Sequence, residues 1–130
     1  MVFMRIGELE SRSGLSRHTI RYYEKEGLLS PPYRQSNNYR VYPESAVKDL
    51  LMIRELKAMD FTLAEIRSVL AAMRSGDMDC ALGAALVRNK RRAVEQRMTA
   101  LGQLLETLRT EEDRLRASAE ALGKTVPEET

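Results

Sequence analysis

This chain has few reactive side chains. Its 130 residues hold one cysteine (Cys80), one histidine (His18) and no tryptophan. A lone cysteine excludes an intrachain disulfide scaffold and points to a reducing cytoplasm. One histidine and one cysteine far apart in sequence make no nucleophile–base pair. There is no glycine-rich phosphate loop, metal-ligand spacing or dinucleotide fingerprint. The chain is therefore not expected to be an enzyme, and no cofactor or metal is expected. Long apolar runs are also missing, so neither a membrane span nor a signal peptide is expected. Aromatics make up only 5% of the residues. The core must then be built from Leu, Ile, Val, Met and Ala, which suits helices.

The overall charge is only +2, so the molecule is no general polycation. The imbalance is local. Between residues 12 and 42 lie Arg12, Arg17, Arg21, Lys25, Arg34 and Arg40, against Glu24 and Glu26. All five tyrosines (22, 23, 33, 39 and 42) share that stretch. Cationic side chains attract phosphate, and tyrosine hydroxyls add oriented hydrogen bonds to it. A local patch argues for a defined nucleic-acid footprint better than a global excess does.

Residues 5–13 predict a short helix, and Gly14 suits a left-handed helix end. Ser16 is placed to cap a second helix over about 17–26, which Gly27 ends. Two short helices around a tight turn make a helix-turn-helix pattern. Pro31-Pro32 forbids helix. Residues 33–42 then have β-prone residues on both sides of Ser36-Asn37-Asn38, which predicts a two-stranded wing. Pro43 is expected to start a third helix over about 44–58, with Val47, Leu50, Leu51 and Leu56 on or near one face. Thr62-Leu63-Ala64-Glu65 reads as a capping box. The fourth helix it opens repeats apolar residues at Ile66, Val69, Leu70 and Met73.

After Asp79 the pattern changes. Val87, Val94, Leu101, Leu108, Leu115 and Leu122 recur every seven residues, with Met98, Leu105 and Ala119 four residues behind their partners. This is a heptad repeat. A helix from Asp79 to about Leu122 would be about 65 Å long. Its stripe needs a partner, most simply a second copy of the chain. Arg91 and Glu112 interrupt the second apolar position and are candidates to pair across an antiparallel dimer. The boundaries expected are a domain over 1–75, a coiled-coil helix over 76–123 and a flexible tail over 124–130.

Several strings resemble one family, the mercury-resistance-regulator (MerR) family of bacterial transcription factors. They are Ile6-Gly7-Glu8-Leu9, Ser13-Gly14-Leu15-Ser16, Thr19-Ile20-Arg21-Tyr22-Tyr23-Glu24, Gly27-Leu28-Leu29 with Pro31, Asn38-Tyr39-Arg40-Val41-Tyr42 and Phe61-Thr62-Leu63-Ala64-Glu65-Ile66-Arg67. The long helix resembles the family's dimerisation helix. The resemblance implies a mainly α fold: a winged helix-turn-helix, a two-helix hairpin, then a long dimerisation helix in an antiparallel coiled coil. It also implies a homodimer on a pseudo-palindromic promoter spacer in double-stranded DNA. The dimer would bend and undertwist that spacer so that RNA polymerase engages both hexamers, a form of deformation readout. Two departures stand out: Asp60 replaces the family's usual glycine before Phe61, and Pro43 takes the usual capping Ser/Thr position.

The DNA-binding set carried over is Ser16, Arg17, His18, Thr19, Arg21, Tyr22, Tyr39 and Arg40. Arg17 and His18 open the second helix, whose first turn reaches base edges. Arg21 and Tyr22 resemble phosphate contacts, and Tyr39 and Arg40 sit on the wing. Tyr23 is the better core candidate of the tyrosine pair. Arg54 and Lys57 are more readily a solvated helix face than phosphate contacts. Cys80 falls where metal-sensing relatives place a ligand, yet no second soft donor accompanies it. It stands as a candidate effector or redox residue, against the plainer reading of a small buried hydrophobe. The competing functional class is a coiled-coil adaptor whose winged domain is vestigial.

Overall fold

The computed structural model describes residues 3–129. The elements run β1 (Phe3–Met4), α1 (Ile6–Ser13), α2 (Arg17–Lys25), β2 (Tyr33–Arg34), β3 (Arg40–Pro43), α3 (Ser45–Ala58), α4 (Leu63–Ser75) and α5 (Cys80–Ala121). The chain divides into two compact units, Met1–Gly83 and Ala84–Thr130.

In the first unit, local chemistry sets the helix ends. Gly14 takes a left-handed φ of 74° and its N–H donates to Glu10 O. Ser16 accepts from the Thr19 N–H at 3.2 Å, which fixes the start of α2. At the start of α4, the Thr62 hydroxyl accepts from Glu65 N–H while the Glu65 carboxylate accepts from Thr62 N–H. The anticipated capping box is thus complete. Asp60 holds a φ of 66°, a conformation glycine adopts at no steric cost. That explains why glycine is usual at this position in the family the sequence resembles.

The wing differs from its sequence reading. It is part of a three-stranded sheet in the order β1-β3-β2, with Phe3 opposite Pro43 and Tyr33 opposite Val41. Two-residue β1 carries too little pattern to be seen in sequence. Pro43 does not start α3. It ends β3, and Glu44 precedes the helix instead. Leu51 and Met73 also depart from expectation, since both are exposed.

Leu9, Ile20, Leu28, Tyr42, Leu50, Ile53, Ile66 and Leu70 are fully buried and draw α1–α4 and β3 into one core. Each such aliphatic side chain contributes about 1.5–3 kcal/mol on leaving water. Tyr23 is buried and Tyr22 is not, as the sequence indicated.

The second unit is the body of α5 and the segment after it. No residue of α5 is buried in the single chain. Its heptad leucines are open to solvent, Leu101 at 63% and Leu108 at 57% exposure. Arg91 and Glu112 are each engaged within the helix, Arg91 with Glu95 at 2.5 Å and Glu112 with Arg116 at 3.2 Å. Within one chain, the (i, i+4) spacing supplies each with a counter-ion on its own helix. At the helix end, Gly123 is left-handed and Lys124 N–H donates to Ala119 O at 2.8 Å. Val126 beyond it is half-buried.

Candidate nucleic-acid interface

The Met4–Tyr42 pairing of β1 with β3 brings the start of α1 beside the wing. There an open groove of about 520 Å³ is lined by Arg5, Ile6, Gly7, Arg17, Arg21, Arg34, Asn38, Tyr39 and Arg40. Five of these nine residues are arginines and none is acidic, so phosphate is the matching ligand chemistry.

Four of the five guanidiniums are held in place. Arg5 stacks over the Tyr39 ring at 4.4 Å. Arg34 donates to the backbone and side-chain oxygens of Asn38, both at 3.2 Å. Arg40 lies 3.4 Å from a Glu24 carboxylate oxygen. Arg17 donates through Nε and Nη2 to Glu10. The Arg17 N–H also donates to that carboxylate, which together with the guanidinium holds Glu10 below the usual carboxylate range. Arg21 has no intramolecular partner among the described residues. Preorganised cations lose less side-chain entropy on meeting a phosphate.

Of the eight DNA-binding residues expected from sequence, Arg17, Arg21, Tyr39 and Arg40 meet in the groove, and Ser16, His18, Thr19 and Tyr22 do not line it. Ser16 and Thr19 join their hydroxyls at 3.0 Å at the cap of α2. His18 and Tyr22 are exposed on α2. Arg12 faces another role. It forms a bidentate pair with Glu44, whose carboxyl its guanidinium holds below the usual range. Arg5, Arg34 and Asn38 were not in the expected set. Arg34 was visible as part of the basic run, but Arg5 reaches the groove only through the β1–β3 pairing.

Glu24 organises the wing from below. It accepts from the Tyr42 phenol at 2.9 Å as well as from Arg40. Burial is the main cause pushing the Tyr42 phenol above its ordinary pKa, and the bond to Glu24 adds to it.

Cys80 is exposed in the single chain. The Asp79 carboxylate beside it accepts from Leu82 N–H at 2.8 Å, so the first turn of α5 is capped by an anion. No group of three or more His, Cys, Asp or Glu that suits a metal occurs among the described residues.

Residues 4–73 match the family model described as MerR HTH family regulatory protein, and residues 47–110 match MerR, DNA binding. The chain belongs to the MerR family. It is 31% identical over 106 residues to heavy metal-dependent transcription regulator 2 of Rhizobium meliloti (strain 1021), covering 82% of this chain and 72% of that protein. The mercuric resistance operon regulatory protein of Bacillus cereus is 38% identical over 76 residues, a match spanning 58% of each chain. Among solved structures, the transcription regulator PbrR691 from Ralstonia metallidurans CH34 in complex with lead(II) superposes with a TM-score of 0.70 at 38% identity, over 88% of this chain and 87% of that one. HiNmlR, a MerR family regulator lacking the sensor domain and bound to promoter DNA, shares the fold with a TM-score of 0.59 at 23% identity, over 97% and 98% of the two chains. As a MerR family member the chain is a transcription regulator with a DNA-binding domain, and not an enzyme. No helix among the described residues is long and apolar enough to cross a membrane.

Proposed function

We propose that this MerR family protein works as a homodimer that grips a pseudo-palindromic promoter spacer, bends and undertwists it, and so controls access by RNA polymerase. It would do so in the cytoplasm, where the promoter is. The observation that carries the reading is the five-arginine groove between α1, α2 and the wing, whose lining includes no acidic residue. In this reading Arg17 and His18 contact base edges, and Arg21, Tyr22, Tyr39 and Arg40 hold phosphates. Ser16 and Thr19 set the pitch at which α2 enters the major groove. The apolar seam on α5, exposed in one chain, is the surface a second copy covers.

Several relatives are named for metals, but the donors here do not fit a metal centre. Cys80 is the one thiol, and no cluster of three His, Cys, Asp or Glu donors surrounds it among the described residues. No step is assigned to a metal.

A salt titration of promoter binding tests the reading. Phosphate neutralisation by several arginines makes affinity fall steeply with salt, with a slope of about −0.9 per phosphate contacted. A coiled-coil adaptor with a vestigial wing would bind DNA weakly at every salt concentration, and that result would overturn the proposal.

A further inference from the structure

Three arginines of the α3–α4 hairpin reach back to the helix-turn-helix and end on backbone carbonyls. Arg54 of α3 donates to Ser13 O, the last carbonyl of α1, at 2.8 Å. Arg67 of α4 donates to Glu26 O, at the end of α2, at 2.5 Å. Arg74 of α4 donates to Leu28 O at 3.1 Å and to the Asp49 carboxylate of α3 at 3.2 Å. The C-terminal end of a helix carries partial negative charge and unsatisfied carbonyls, so a guanidinium is the matching cap.

The glycines at these two ends fit the same device. A Cβ on Gly14 would sit 2.7 Å from Arg54 Nη1, and one on Gly27 would lie 4.0 Å from Arg67 Nε. The two helix ends are therefore open on the side from which the hairpin approaches. All three arginines are exposed. Exposed charged contacts add little to stability, and the apolar core already closes the unit. What these bonds do add is direction: they fix both helices of the helix-turn-helix to the hairpin at their C-terminal ends.

We propose that Arg54, Arg67 and Arg74 are positioning residues that set the angle of α2 relative to the α3–α4 hairpin, and through it the half-site spacing the dimer accepts. The inference rests on the dimeric DNA-binding reading above. Two half-sites are read together only if each recognition helix arrives at a fixed separation and angle. A clamp at the far end of α2 holds that angle without touching DNA.

The test uses the full chain and an operator selected from a randomised duplex pool. Binding is measured on the operator, on versions with one base pair added or removed between half-sites, and on a single half-site. The native protein should lose at least tenfold in affinity when the spacing is shifted. The Arg67→Met/Arg74→Met double variant should bind the single half-site within threefold of native, while its spacing penalty falls to threefold or less. Arg67→Lys/Arg74→Lys, which keeps a charged donor, should restore most of the penalty. A double methionine variant that keeps the full spacing penalty overturns the proposal. So does one that loses half-site affinity more than tenfold, because the arginines would then only maintain the fold. If circular dichroism shows that variant unfolded, the two single methionine variants are measured, and an unchanged penalty in both overturns the proposal. A native protein that tolerates every spacing equally overturns both this proposal and the dimeric reading beneath it.

Discussion

Tyr42 and Glu24 are joined by a phenol-to-carboxylate hydrogen bond of 2.9 Å that ties the inner strand of the wing to α2. The Tyr42 side chain is fully buried. Tyr42→Phe removes the donor while keeping the ring. The expected loss is about 1.5–3 kcal/mol of stability, the usual worth of a hydrogen bond to a charged acceptor. Urea unfolding followed by circular dichroism measures it, and an unchanged midpoint would show that the bond contributes nothing. Arg40 shares the Glu24 carboxylate, so DNA affinity should weaken in the same variant.

Arg21 is the groove arginine without an internal partner among the described residues. Arg21→Ala should therefore leave stability nearly unchanged and weaken binding across many DNA sequences. The salt slope should fall by about one unit, as expected for one lost phosphate contact. His18→Ala should instead relax base preference with little change in slope. Equal effects from both substitutions, in slope and in preference, would contradict this division of labour.

On α5, Leu101→Glu places a charge in the middle of the exposed apolar seam. Sedimentation velocity should show the native chain as a dimer and the variant as a monomer. Operator affinity should drop more than about tenfold, because two linked half-site contacts become one. A variant that remains dimeric would remove the role given to the heptads.

Gly14 combines a left-handed backbone with a close neighbour. Gly14→Ala puts a methyl 2.7 Å from Arg54 Nη1 at a φ of +74°. Left-handed strain costs roughly 1–2 kcal/mol, and displacing the Arg54 cap on Ser13 O adds to it. The expected total is about 1–3 kcal/mol in thermal or urea unfolding. Gly7→Ala is the control, since nothing lies within 4 Å of the added carbon.

Two carboxylates predict the acid response. Glu10 is held below its ordinary value of 4.5, first by the Arg17 N–H, and Glu44 first by the Arg12 guanidinium. Their folded pKa values are the depressed ones, so the unfolded chain binds protons first as pH falls. Their contribution is complete above the ordinary carboxylate value and is lost as pH drops through the lower folded values. The melting temperature should hold down to about pH 5 and then fall. Glu10→Gln and Glu44→Gln should flatten that fall, and an equally steep fall in both variants would contradict the assignment.

Much of the architecture was readable because it depends on local rules. Ser16 and the Thr62–Glu65 box announce helix starts, Gly14 and Gly27 announce ends, and the seven-residue leucine spacing announces a long helix. What escaped were features with little local signature. β1 is two residues long and exists only because β3 lies beside it. Pro43 looked like a helix start because its fixed φ suits that position. It equally suits the end of a strand, and the pairing with Phe3 settles the choice.

The amino-acid order alone determined that this is a helical chain with a basic, tyrosine-rich winged domain and an apolar seam. Those properties follow from periodicity, capping and charge density. Only the tertiary structure decided which cations work together. It brought Arg5 to Tyr39 and Arg34 to the groove, withdrew Arg12 to Glu44, turned Arg54 and Arg67 onto distant helix ends, and set Arg74 on the Leu28 carbonyl beyond α2. The physical reason is that a guanidinium carries the same charge wherever it lies in sequence, and only packing selects the partner within its reach.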